Sequence, residues 1–244
     1  TETALNESVM VNGVSSTRQY GAQYTISITG VPTDRDQVNV VLPAGTLTDQ
    51  SGNINDDYEI KLYTTLMPAT TETEPTSPFL GNADLRRQNI ESVTFLGSTE
   101  DAGDNKWDVS AAQDGSIWAW YTGTGPYQVY IGSDAFMCAN RDSSYLFAHI
   151  GYASNSTATN VINGLEAINT TLATDMNHMF YNTGFSKMTT LDLGNNFDTV
   201  NVTNMNGMFA GAGSSAMTTL DLGENFDTSK VTDMAQMFDR KGYT

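Results

Sequence analysis

The chain has 244 residues, a formal net charge of −17 and a pI near 4.1. That balance argues against nucleic acid and anionic membrane surfaces, which reward Lys and Arg. The length allows one large domain or two ordinary ones, and no stretch approaches the roughly 18–20 consecutive apolar residues of a membrane span. One cysteine, Cys138, leaves no internal disulfide or Cys-rich metal site. Residues 1–13 lack the basic start and apolar run of a signal peptide. Abundant Thr, Asn, Asp, Gly and Ser beside few Lys and Arg lean extracellular, as a correlation rather than a mechanism.

Residues 20–64 alternate apolar and polar side chains, as in Tyr24-Thr-Ile26-Ser-Ile28, Val38-Asn-Val40 and Tyr58-Glu-Ile60-Lys-Leu62. Period-2 alternation over short runs predicts half-buried strands. The phrase Leu42-Pro-Ala-Gly45-Thr-Leu-Thr-Asp49-Gln-Ser-Gly52-Asn53 resembles the closing strands of bacterial immunoglobulin-like domains. The expectation for 1–64 is an immunoglobulin-like β-sandwich, incomplete at its start. The turn also concentrates oxygen donors, Asp49, Asn53, Asn55, Asp56 and Asp57, which suit Ca²⁺. It lacks the spacing and final Glu of an EF-hand loop, and Asx-rich turns are what any β-turn prefers. Both readings stand.

Residues 65–78 hold three prolines and five threonines, which predicts an extended linker. Residues 79–150 return to strands, among them Ser92–Leu96, Ser116–Tyr121 and Tyr127–Ile131, and predict a β-rich cap for the remainder of the chain. Trp118 and Trp120 share a strand face, because alternate residues point the same way. With Trp107, Tyr127 and Tyr130 they could stack on sugar rings, or the face could cover the first repeat; the cap is the favoured reading.

The remainder, 151–244, repeats. Residues 188–209 and 217–238 agree at 16 of 22 positions, at a period of 29. Three M-x-x-M-F copies align without gaps: Thr174–Phe180, Thr203–Phe209 and Thr232–Phe238. Ser144-Tyr-Leu-Phe147 is a fainter echo. Repetition at this period signals a solenoid whose units bury their faces by stacking. Met188-x-x-Leu191-x-Leu193-x-x-Asn196 fits a leucine-rich-repeat frame, with Asn196 and Asn225 as an internal ladder and Phe197 and Phe226 departing from the usual spacing. The i, i+3, i+4 apolar spacing of Met205, Met208 and Phe209 predicts a short helical turn capped by Thr203. The methionines could bind soft copper. Their recurrence with Leu and Phe fits core packing better.

The M-x-x-M-F and L-D-L-x-N-F-D-T words resemble the BspA-like leucine-rich-repeat surface proteins of Gram-positive and wall-less bacteria. Asn163-Gly-Leu-Glu166 resembles the family's first repeat. Trp107-Asp-Val-Ser110, Asp114–Trp120, Tyr130-Ile-Gly132 and Ser143–Phe147 resemble the segment that precedes it. The resemblance covers about 92–244 and implies a secreted or wall-associated adhesin, modular with immunoglobulin-like domains and carrying no catalytic residues. The chain stops at Thr244, just after a Met-Phe element and without a polar capping unit, so the natural protein is expected to continue, with any wall-anchoring signal outside this segment.

No G-x-S-x-G, H-E-x-x-H or glycine-rich phosphate loop appears. His178 occupies a variable repeat slot and is expected to face solvent. The reading is a non-enzymatic extracellular bacterial surface protein, mainly β with short helices. Its expected role is adhesion or display toward a host or neighbouring-cell protein or glycan. The alternatives are a fibre subunit that self-associates by strand exchange through the sandwich, and a glycan-binding module. Binding candidates are Trp118 and Trp120, with Glu224, Asn201 and Lys230 among the positions that differ between copies.

Overall fold

A computed structural model describes residues 39–42, 44–45, 52, 54, 58–61, 63–152 and 157–239. The chain divides into two units, Thr1–Tyr63 and Thr64–Thr244. The described residues are mainly β, and the only helices among them are two 3-10 turns, Arg87–Asn89 and Leu165–Ala167.

In the first unit β1 (Asn39–Leu42) pairs antiparallel with β2 (Tyr58–Lys61), Asn39 opposite Lys61 and Leu42 opposite Tyr58. The expected strand at 24–28, the sandwich as a whole and the calcium candidates Asp49, Asn53, Asn55, Asp56 and Asp57 lie outside the described residues.

The second unit begins within β3 (Tyr63–Thr65) and continues through β4 (Pro78–Phe79), β5 (Asn82–Arg86), β6 (Ile90–Leu96) and β7 (Trp107–Asp108). β8 (Trp118–Thr122), β9 (Tyr127–Gly132) and β10 (Phe136–Cys138) come next. Four short strands belong to the repeats: β11 (Ile162–Asn163), β12 (Ile168–Asn169), β13 (Thr190–Asp192) and β14 (Thr219–Asp221). The main sheet has the order β11-β6-β9-β8-β7, and a smaller one runs β12-β10-β3. Alternation sends Val93, Phe95, Ala119, Val129 and Ile131 into one hydrophobic core that continues into the repeats.

The stretch 65–78 belongs to this unit and is not a linker. Within it Glu72 is buried, accepts the amide protons of Leu80 and Gly81 at 2.9 Å, and pairs with Arg87 Nη2 at 2.7 Å. Its threonines and prolines satisfy the linker composition, but one buried carboxylate fixes the segment.

The repeats stack in register. Parallel bridges join Asp142, Asp175, Asn204 and Asp233 in sequence, at spacings of 33, 29 and 29 residues. The first M-x-x-M-F-like segment therefore starts at Asp142, inside the stretch expected to be cap. β13 and β14 pair in parallel with Leu191 opposite Leu220, while β11 runs along β6 and β12 along β10. The cap thus offers the first repeat the strand edges that each repeat offers the next.

The M-x-x-M-F segments are not helical. Their amide protons alternate between two destinations. Met176, His178, Phe180 and Asn182 donate to carbonyls of the following unit (Asn204, Asn206, Met208 and Ala210) at 2.8–2.9 Å. Met179, Tyr181 and Thr183 donate three residues back within their own unit. Met205, Gly207, Phe209 and Gly211 repeat the outward row toward Asp233, Ala235, Met237 and Asp239. The apolar spacing is helical, but half of the backbone donors are used between units, so the segment becomes a ribbon of turns. The ribbon needs left-handed residues at fixed places: Tyr145, His178, Gly207 and Gln236 have φ of 57°, 53°, 59° and 58°.

Through the ribbon runs an aromatic stack, Phe147–Phe180–Phe209–Phe238, with centroids 5.2, 5.3 and 5.6 Å apart. Phe95 of β6 meets Phe147 edge-on at 5.8 Å and closes its first end. Met176, Met179, Met188, Met205 and Met208 are buried around this stack, so the methionine stripe is packing material.

Two further expectations change. Asn196 and Asn225 are exposed, and their side-chain amides donate to the backbone carbonyls of Glu166 and Asn195 in the unit before. Their ladder is external, side chain to main chain. Trp118, Trp120 and Tyr130 stand on the sheet face opposite Ala119 and Ile131, away from the core that meets the repeats. The first repeat is closed by Phe95 and Arg87 instead.

Candidate functional site

The outward polar rows are mostly committed to backbone. Asp192, Asp198, Asp221 and Asp227 each accept the amide proton two residues on, from Gly194, Val200, Gly223 and Ser229, at 2.7–3.0 Å. Asp142, Asp175, Asn204 and Asp233 do the same in the ribbon. These are Asx turns, the local bond that lets a short polar side chain stand in for a turn's carbonyl. In Asp227 the bonds to Ser229 hold the carboxyl below its ordinary range. Thr170 and Thr199 are buried, and each hydroxyl donates to a carbonyl of the next unit (Asp198, Asp227) while accepting the amide proton of that same residue. The rows of Asp and Thr build the coil.

Among the outward positions are some that differ between copies. Glu224 and Lys230 are exposed, and Asn201 is half-buried. Lys230 Nζ donates to Asn201 Oδ1 at 2.8 Å, and Asn201 Nδ2 donates to the Thr171 carbonyl at 2.9 Å. The structure joins Asn201 and Lys230 in one column.

His178 is not simply solvent-facing. Its ring stacks on Tyr145 at 5.0 Å and 4°, and a Cβ on the buried Gly207 would lie 2.7 Å from its Nε2. Packing therefore acts on the variable slot: His178 stacks on the ring before it and lies close against Gly207 after it. Burial lowers its pKa. His149 lies at the corresponding junction with the cap, where Nε2 meets the Thr73 carbonyl at 3.1 Å and Tyr181 crosses edge-on at 5.3 Å. Desolvation, aided by the nearby Arg87 charge, lowers its pKa to about 4.

Arg87 carries no signal in the sequence, yet its side chain ties the junction together. Fully buried, it donates through Nη1 to the carbonyls of Tyr145 (2.8 Å), Leu146 (3.3 Å) and Ala148 (2.9 Å). Leu146 and Ala148 correspond to Met208 and Ala210, the carbonyls that receive amide protons from the unit before. Arg87 supplies the donors of a unit that is not there.

On the far sheet face Trp120 is buried and stacks with Tyr130 at 5.8 Å. Trp118 is half-buried, packed on Gly115, with the Lys106 ammonium 4.7 Å from its ring centroid. Trp107 faces the core side and donates Nε1–H to the Leu80 carbonyl at 3.0 Å. Among the described residues no group of three or more His, Cys, Asp or Glu is placed to hold a metal ion, and no helix is long and apolar enough to cross a membrane.

Residues 149–242 match the family described as "Mycoplasma protein of unknown function, DUF285". No curated protein and no solved structure matches the chain.

Proposed function

We propose that the chain is a non-catalytic, extracellular bacterial surface protein whose repeats form a leucine-rich-repeat-type solenoid capped by the preceding β-sheet. It acts in adhesion or display at the cell wall or cell surface, with a host or neighbouring-cell protein or glycan as partner. The observation that carries this reading is the division of labour in the repeat. The polar residues shared by the copies are bonded to the coil's own backbone, whereas Glu224 and Lys230 stand outside it. A scaffold with a constant interior and variable exterior binds by surface complementarity along its units.

The test converts one copy into the sequence of the other. Glu224→Asn, Ser229→Val and Lys230→Asn together should lower binding to a panel of host cells and immobilised glycans while leaving the melting curve in place. Unchanged binding would remove these positions from the contact surface.

A glycan-binding reading has its own support in Trp118, whose half-exposed ring faces away from the core beside a lysine. Trp118→Ala should then abolish glycan-array signals without unfolding. Trp120 is buried, so its replacement is a stability probe and does not test sugar binding.

A further inference from the structure

We propose that a belt of rings along one side of the first two ribbons is a docking surface for a basic, proline-containing segment of a partner protein. The belt starts at Tyr145, stacked on His178, and passes to Tyr181 at 5.2 Å. From there it runs through His149 to Tyr152, at 5.3 and 5.7 Å, and ends on Phe185 at 5.4 Å. His149 is buried and the other five rings are half-buried. The three tyrosines and Phe185 lie outside the hydrophobic core of the described residues.

The coil does not need these rings. One unit on, Gly207, Ala210 and Ser214 hold the places of His178, Tyr181 and Phe185. The local bonds are kept there. Ala210 donates to Gly207 at 3.0 Å as Tyr181 does to His178, and Met217 donates to Gly213 as Met188 does to Gly184. A row of half-buried rings that the backbone can do without marks a contact surface.

Two features choose the occupant. The first is ring orientation. Tyr145 and His178 lie face to face at 4°, and the next three contacts cross at 74°, 83° and 84°. The belt is a row of ridges and not the flat platform on which a sugar ring stacks. Ridged aromatic surfaces receive a polyproline II helix, which is preformed and loses little entropy on docking. The second feature is charge. Burial, then the Glu74 and Asp175 carboxylates, raises the pKa of the Tyr145 hydroxyl, so both carboxylates lie within electrostatic reach of it. Exposed Arg141 and Asp142 beside Asp175 carry opposite charges, and the local balance stays negative. Burial lowers the pKa of His178, so its ring is neutral at pH 7. A guanidinium entering at Tyr145 meets two carboxylates and an aromatic ring, a pairing that suits Arg. Exposed Lys187 follows Phe185 at the other end, which sets the cation of the segment at Tyr145. This inference does not rest on the adhesive reading, which concerns Glu224 and Lys230.

The probe is a fluorescent peptide of Arg-Pro-Pro repeated four times, titrated with the full chain and followed by anisotropy. The expected result is saturable binding that falls by about tenfold or more in each of three changes. These are Phe185→Ser, which copies the next unit, Glu74→Gln, and a peptide with Gln in place of each Arg. The peptide change leaves the protein untouched, so it reads the charge preference whatever the variants do to stability. Non-specific attraction to a chain of net charge −17 would survive both protein changes, and binding that survives them would overturn the proposal. So would absence of saturable binding, equal binding of the Gln peptide, or displacement of the peptide by a neutral oligosaccharide such as cellohexaose.

Discussion

The first and last described units of the repeat series differ in what packs against them. At the first end the cap substitutes, group by group, for a missing unit: β6 for the strand, Phe95 for the ring below the stack, Arg87 for the amide donors. In the last described unit Phe238 and Met234 are exposed. A repeat unit is thus defined as much by its neighbour's chemistry as by its own, and equivalent residues at the two ends should differ sharply in what they contribute.

The largest contrast is predicted for charge and aromatic packing. Arg87→Met leaves Glu72 buried beside its former partner and should cost roughly 3–5 kcal/mol in urea unfolding, with partial recovery when Glu72→Gln is added. A loss below about 1 kcal/mol would mean that the pair is not what closes the first unit. Phe180→Ala should cost a similar 3–5 kcal/mol or so, because a ring packed on both faces leaves a cavity. Phe238→Ala, the last member of the same stack, should cost under about 1 kcal/mol. Equal effects at the two positions would show that the Phe238 ring is packed on both faces.

Smaller effects belong to the hydroxyl column. Thr199→Val strands a carbonyl and an amide of Asp227 and should cost about 1–3 kcal/mol. Thr228→Val should be close to neutral in the same urea-unfolding comparison. Below this comes pH. His149 has a folded pKa near 4 against about 6.5 unfolded, so the unfolded chain binds the extra proton first. Its contribution is complete above about pH 6.5 and is lost as pH falls toward 4, on the order of 2 kcal/mol or less. His178 shifts the same way. His149→Gln should flatten the melting temperature against pH across that window, and an unchanged slope would assign the effect elsewhere.

The repeating interior is legible in the sequence because it is periodic. Leu191, Leu193, Phe197, Met205 and Met208 recur at 29-residue intervals, and these recurring apolar residues are the ones the stack buries. The ribbon reads as helix because i, i+3, i+4 spacing describes a side-chain face and says nothing about where the amide protons go. Glu72 and Arg87 escape a reading of the sequence because their meaning depends on carbonyls at 145–148, far along the chain and carrying no side-chain signal. His178 shows a subtler failure. Variation between copies suggests exposure, yet Tyr145, His178 and Gly207 are packed one on the next. Of the candidate binding residues, only the Lys230–Asn201 column forms a joined pair, and nothing in either residue's local sequence announces that bond.

The 33-residue spacing between Asp142 and Asp175 has a practical corollary. The ribbon and its aromatic stack keep their register although this step is four residues longer than the next two. The excess falls mainly between Tyr152 and Thr159, where the later copies pass from Phe185 to Thr189 with fewer residues. The register of the ribbon is therefore held by the bridges and the rings, and does not depend on a fixed chain length between successive units.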